Sequence, residues 1–203
     1  MLITFEGIDG CGKSTQLNII GDLLENHGYT VHRLREPGGT TLSESIREIL
    51  LSSKNNINDI AELLLFEAAR SNLTENLIKP ALANGEFVLC DRFYDSTTAY
   101  QGFGRQIDID VIAACNQIAV GNLKPDLTFY LKISLDSAKK RAGNREQDRI
   151  EKAGDDFFSR VINGFDTIAQ NEPDRVIIID SEGSIEETKY KIMREIPIFN
   201  DII

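Results

Sequence analysis

The sequence predicts an α/β fold, a parallel sheet covered on both sides by helices. Three observations lead there. Five apolar runs recur along the 203 residues: "LITFEG", "YTVHRLR", "FVLCD", "LTFYLKI" and "RVIIID". Most are nearly continuous rather than alternating, as strands buried on both faces are. Helical patterns lie between them, and a βαβα order places the chain in the doubly wound class.

Taken in order, the first strand runs into "GIDGCGKST", residues 7 to 15. From Gly7 to Ser14 this fits G-x-x-x-x-G-K-[ST], in which bare backbone N–H groups wrap phosphate oxygens. The candidate phosphate-binding residues are Gly7, Ile8, Asp9, Gly10, Cys11, Gly12, Lys13, Ser14 and Thr15. Lys13 would reach the terminal phosphates, and Ser14 a magnesium ion. "LNIIGDLLENHG" follows as an amphipathic helix closed by Gly28, so the loop faces an anion with a helix N-terminus. After the second strand, "REPGGT" (35 to 40) makes a shaped turn with Arg35 at its start, and alone it is only a turn.

The spacing next predicts a helix over 58 to 79, capped by Asn58, with Pro80 forcing a kink or break. Phe66 and Arg70 are four apart and share a face of it. As part of a leucine run, Phe66 reads equally as core. The third strand ends in Asp91 and Arg92 at the sheet edge where α/β proteins bind ligands. Asp91 suits a magnesium site, although the pair could also be a structural ion pair. Residues 142 to 156 are charged, glycine-bounded and poor in apolar side chains, which fits a solvated loop or a mobile lid.

Composition narrows the function classes. A formal net charge of −10 argues against a broad nucleic-acid-binding face, so clustered arginines imply a local anionic ligand. Cys11, Cys90 and Cys115 have no metal-ligand spacing, and their odd number argues against a disulfide framework. A reducing cytoplasm is the expected setting. No apolar run is long enough to span a membrane, and the expectation is a soluble chain. His27 and His32 have no partner motif and read as surface or packing residues. The expected organisation is one domain, 1–203, with the lid at about 142–156 inside it.

The blocks "FEGIDGCGKST", "REPGGT", "LLFEAAR", "DRFYDSTTAYQG", "KPDLTFYL" and "DRIE" resemble, in order and spacing, the thymidylate kinase family of bacterial type, from residue 2 to about 180. The resemblance implies a P-loop kinase fold with a five-stranded parallel sheet, a short lid and a homodimer. It implies phosphoryl transfer from ATP to dTMP with Mg2+, giving ADP and dTDP. It also implies roles. Asp9 would contact the acceptor sugar or the metal surroundings, Phe66 would stack on thymine, and Arg70 would read the base edge. Arg92 would hold the dTMP phosphate with Arg35 near it, Thr97 would lie at the base edge, and Tyr100 beneath C2′.

The acceptor is an anionic phosphate oxygen, so the chemistry calls for positioning and charge neutralisation rather than a strong base. Lys13, Arg92 and lid arginines would supply it. "GNREQDRIE" departs from the family's "ARGELDRIE", which leaves the lid arginine open among Arg141, Arg145 and Arg149, with the last two preferred. Gly143 and Gly154 would be the hinges. The alternative reading is another nucleotide or nucleoside kinase of the same fold. A GTPase switch would need N-K-x-D, which "NLKPD" does not match.

Overall fold

The computed structural model describes residues 1–143 and 148–199. The chain runs β1 (Leu2–Glu6), α1 (Lys13–Asn26), β2 (Val31–Arg35), α2 (Thr41–Leu51) and α3 (Asp59–Leu73). A π-helical turn, Thr74–Ile78, leads into α4 (Lys79–Ala83) and then β3 (Phe87–Asp91). There follow α5 (Tyr94–Thr97), a second π-helical stretch at Thr98–Gly104, α6 (Ile109–Val120), β4 (Leu127–Lys132) and α7 (Leu135–Ala142). A 3-10 turn at Glu151–Ala153, α8 (Asp155–Asn171), β5 (Val176–Asp180) and α9 (Ile185–Glu195) complete the main elements.

All five strands are parallel, in the order β2-β3-β1-β4-β5. This is the expected sheet, and its five strands fall on the five apolar runs. Alternate residues explain why those runs look continuous. Ile3, Phe5, Leu89, Phe129 and Leu131 face one core with Leu17, Ile20 and Leu24 of α1 and Phe157, Val161 and Phe165 of α8. Leu2, Val88 and Cys90 belong to a second cluster with Phe93 and with Ala119 and Val120 of α6. Each such large side chain removed from water contributes about 1.5–3 kcal/mol, so neither face tolerates a polar alternation.

Parallel strands bring every carboxyl end to one edge. Register sets Phe5 beside Asp91 and Arg35 beside Asp91, so the segments that follow β1, β2 and β3 emerge as neighbours. The connection from β1 leads to one side of the sheet and that from β4 to the other, which opens a crevice beside β1.

Asn58 caps α3 as expected, its Oδ1 accepting from the Ala61 N–H at 2.9 Å. Pro80 does not end the helix. The π-helical turn at Thr74–Ile78 comes first, and the chain stays helical to Ala83. A widened turn at that point leaves room for the ring that would otherwise press on the carbonyl four residues back. Gly143 and Gly154, the expected hinges, both have positive φ, 63° and 88°. Among the described residues no helix is long and apolar enough to cross a membrane. His27 lies edge-on to Phe199, and His32 Nε2 meets Glu86 at 2.6 Å, so neither joins the crevice.

Candidate active site

The loop between β1 and α1 is shaped by close approach. A Cβ at Gly7 would stand 2.6 Å from the Leu131 carbonyl oxygen, and one at Gly10 2.8 Å from that of Ala138. Both glycines, and Gly12 at the start of α1, have positive φ. The loop therefore presses against β4 and α7 at positions where only hydrogen fits. Lys13 is folded over it, Nζ donating to the carbonyls of Gly7 (3.1 Å) and Ile8 (3.0 Å) and lying 3.7 Å from Cys11 Sγ. Cys11 is buried, and burial pushes its thiol up from the usual range despite Lys13 and Arg92 nearby. Such a thiol is a small packing group rather than a nucleophile.

At the end of β3, Asp91 Oδ2 accepts from the Ser14 hydroxyl at 2.5 Å. This joins the two residues read as metal ligands. Arg92 adopts φ 74°, a left-handed conformation rare for a side chain of its size. Its guanidinium donates to Gly7 O (3.0 Å), Ser96 Oγ (3.1 Å), Asp9 Oδ1 (2.8 Å) and Tyr100 Oη (3.3 Å). It also stands 5.0 Å over the Tyr100 ring. Burial opposes its charge, but Tyr100, Asp9, Asp91 and Glu6 outweigh that and hold it protonated.

Beside Arg92 lies a cleft that brings together residues far apart in the chain. Phe66, half-buried, forms part of its wall, with Thr97 from α5 and Tyr100 from the π-helical stretch after it. Arg35 sits in the adjoining cleft around the phosphate loop, paired with Glu44 at 3.0 Å. Arg70 is placed differently. It is 1% exposed, lies behind the wall, and donates to Glu36 (2.7 Å), Glu67 (2.5 Å), Thr97 Oγ1 (2.8 Å) and Phe93 O (3.2 Å). In this conformation it braces the cleft rather than lining it.

Several cleft residues escaped the sequence reading, Arg47, Glu36 and Gln101 among them. Arg47 of α2 lines both clefts, its guanidinium donating to Pro37 O at 3.0 Å, and burial together with Arg35 and Arg92 weakens its hold on its proton. Glu36 also lines both clefts. Burial pushes its carboxyl up to about 7 against the pull of Arg70, and its Oε1 is buried without a hydrogen-bond partner among the described residues. Gln101 donates to Glu62 Oε1 at 2.8 Å. Burial works against the Glu62 charge, but hydrogen bonds from Arg105 and Gln101 hold its carboxyl below the usual range. Glu62 is thus an acceptor only, which fixes the Gln101 amide with its nitrogen towards Glu62. Arg47 follows Ile46 on an amphipathic helix, and that inward register was the one signal available.

Lys13, Arg35, Arg47, Arg92 and Arg141 all line the cleft at the phosphate loop, against Asp9, Glu36 and Asp91. In a chain of net charge −10 such a concentration of cations suits a local anionic ligand. Arg141 reaches it by donating to Gly10 O (3.5 Å), Ser181 O (2.8 Å) and Glu182 O (3.1 Å). It also borders a cavity on the far side of the loop, next to Gln16 and Ser181. Arg149 is turned elsewhere: Nε donates to Leu50 O at 2.8 Å and Nη2 pairs with Glu62 at 2.6 Å. Arg145 lies outside the described residues. Asp9 borders the Phe66 cleft, the phosphate-loop cleft and a third cavity under residues 151–155, so it stands where all three meet.

Ser14 Oγ and Asp91 Oδ2 are hard oxygen donors in the same cleft as Lys13 and suit magnesium. Among the described residues no group of three or more His, Cys, Asp or Glu could hold a metal. Ser14 and Asp91 are the residues that would hold the ion, and it would supply charge to bound phosphate oxygens.

Comparison with known proteins covers most of the chain. The family model "Thymidylate kinase" matches residues 5–192. The chain is similar to a thymidylate kinase of Prosthecochloris aestuarii (strain DSM 271 / SK 413), 51% identical over 191 residues, covering 89% of this chain and 86% of the relative. A thymidylate kinase of Chlorobaculum parvum (strain DSM 263 / NCIMB 8327) is 47% identical over 203 residues, covering 95% and 94%. The crystal structure of thymidylate kinase from Ehrlichia chaffeensis superposes with a TM-score of 0.78 at 35% identity, covering 96% of this chain and 97% of that one.

Proposed function

The chain belongs to the thymidylate kinase family, and from that premise we infer that it transfers the terminal phosphoryl group of ATP to dTMP, giving ADP and dTDP. The observation that supports this most is the position of Asp9, which borders both the phosphate loop and the Phe66 cleft. A donor nucleotide on the loop and an acceptor in the cleft would meet there. Another kinase of the same fold is the less favoured reading.

The transfer needs little covalent help. Two anions must be brought into line and the charge between them compensated, which fixed cations do best where water is excluded. Lys13 would exchange the Gly7 and Ile8 carbonyls for the donor's terminal phosphates, cradled by the N–H groups of Gly7 to Thr15. Arg92, with Arg35 and Arg47, would hold the acceptor phosphate, exchanging one of its present partners for it. Phe66 would stack on the base, Thr97 would lie at the base edge, and Tyr100 would lie under the sugar. Arg70 would act on the base edge through the wall that it braces. Mg2+, held by Ser14 and Asp91 through its water shell or directly, would draw charge from the phosphate oxygens. The lid arginines complete the proposal. Arg145 and Arg149 would meet the charge that builds during transfer, Arg149 giving up Glu62 to do so.

The chain would act as one domain in the cytoplasm and as a homodimer. For the dimer, α3 and α6 pack side by side and leave Ile60, Leu64, Val111 and Ile118 exposed, the last to 83%. The spacings of four and seven put each pair on one helical face, an apolar stripe suited to a second copy. The functional test is a panel of nucleoside monophosphates with ATP and Mg2+, products identified by chromatography. dTMP should be the best acceptor, and Lys13→Ala should lose about 10²-fold or more in kcat. Full turnover by that variant would remove the loop from the reaction.

A further inference from the structure

Glu6 ends β1 and is fully buried, yet it takes no part in the reaction as described above. Each of its oxygens reaches the segment that follows β3. Oε1 accepts from the Phe93 backbone N–H at 2.7 Å, and Oε2 accepts from the Ser96 hydroxyl at 2.6 Å. The same Ser96 oxygen accepts from Arg92 Nη1. One carboxyl group therefore grips the peptide just after Arg92 and, through Ser96, the guanidinium itself.

Arg92 needs such a grip. Its left-handed backbone is disfavoured for a residue with a Cβ, and that conformation persists only where the surroundings impose it. The Arg92 N–H is held by Phe5 O at 3.0 Å, one residue before Glu6. The two peptides flanking Arg92 are thus both pinned to the last two residues of the central strand. The neighbouring acid, Asp95, is no substitute, because Arg175 binds it at 2.7 and 3.0 Å.

We propose that Glu6 is a positioning residue for the acceptor phosphate: it holds Arg92 in the left-handed conformation that aims the guanidinium into the cleft. The inference rests on Arg92 being the arginine of the dTMP phosphate. A carboxyl or a carboxamide serves equally, since either gives Phe93 an acceptor and Ser96 a partner. An apolar side chain of the same size orphans a buried N–H and a hydroxyl, and the peptide after Arg92 is then free to relax.

The test separates the two substrates. Glu6→Leu, Glu6→Gln and Arg92→Ala are compared with the unaltered enzyme for KM with dTMP, KM with ATP, and kcat. Glu6→Leu should raise the dTMP KM by about 10-fold or more, the scale of one orphaned buried donor, with the ATP KM within about threefold. Glu6→Gln should stay near the unaltered enzyme on all three. Where Glu6→Leu does not fold, Glu6→Asp takes its place, since it pulls the carboxylate back by one bond of about 1.5 Å and cannot span both partners. A folded Leu or Asp variant with an unchanged dTMP KM overturns the proposal. So does an equal rise in both KM values, or a Gln variant as impaired as the Leu variant. If Arg92→Ala leaves the dTMP KM unchanged, the assignment of Arg92 itself has failed. If it raises that KM while the Glu6 variants do not, only the role of Glu6 is lost.

Discussion

Replacing Arg70 with methionine tests what braces the Phe66 cleft. The guanidinium joins β2 to α3 and α5 by binding Glu36, Glu67, Thr97 and the Phe93 carbonyl, all out of water. Methionine fills much of the volume but leaves two buried carboxylates without their cation. Breaking a buried pair in this way costs about 3–5 kcal/mol. In a chain of this size each kcal/mol lowers the Tm by about 2–4 °C, so the expected loss is roughly 6–20 °C near pH 8. The pH dependence is the sharper part. Glu36 already sits near 7 against its ordinary 4.5, and Arg70 is what pulls it down. Without Arg70 its folded value climbs further. A carboxyl raised on folding is at no disadvantage below its unfolded value and costs stability progressively as pH rises through the window between the two. The variant should therefore lose less near pH 5 than near pH 8. Thermal unfolding followed by circular dichroism at both pH values decides it. A loss under about 3 °C near pH 8, or the same loss at both, would refute the brace.

Phe66→Ala should lower kcat/KM for dTMP by about 1–3 kcal/mol, the scale of stacking on a base, and a loss confined to ATP would move the base elsewhere. Burial, with Asp95 adding to it, pushes Glu6 up to about 8, so this group withdraws stability as pH rises from 4.5 towards 8. Glu6→Gln cannot titrate and should melt above the unaltered protein at alkaline pH, with the gap closing near pH 5; a gap independent of pH would contradict the assignment. Arg145→Ala and Arg149→Ala should each lower kcat more than they raise KM. Unchanged kcat in both would pass the role to Arg141, which already overhangs the loop at Gly10.

The sheet was legible because burial on both faces writes a strand as an unbroken apolar run, as "FVLCD" and "RVIIID" do. The tight loop between β1 and α1 was legible because its glycines answer a local demand, seen at Gly7 against Leu131. The turn before Pro80 was not, since propensity marks where a proline conflicts and not how the helix absorbs it. Arg47, Glu36 and Gln101 were missed because a polar residue on an amphipathic helix or in a turn looks the same whether it faces water or a cleft. What distinguishes them is tertiary: α2 laid over Pro37, and Glu62 orienting an amide 39 residues away. Arg70 shows the converse, since a helical face shared with Phe66 says nothing of Glu36, which comes from another strand end.

The central claim is that donor and acceptor sites confront each other across Asp9, one built on Lys13 and the other on Arg92. A bisubstrate compound, adenosine and thymidine joined through a chain of phosphates, tests this directly by calorimetric titration. The account predicts a Kd at least about 10-fold below that of ATP or dTMP alone, because the second site is engaged without a second loss of freedom. Lys13→Ala and Arg92→Ala should each weaken that binding by about 10-fold or more. A compound that binds no better than ATP, or that binds the Arg92→Ala protein as well as the unaltered one, would contradict it.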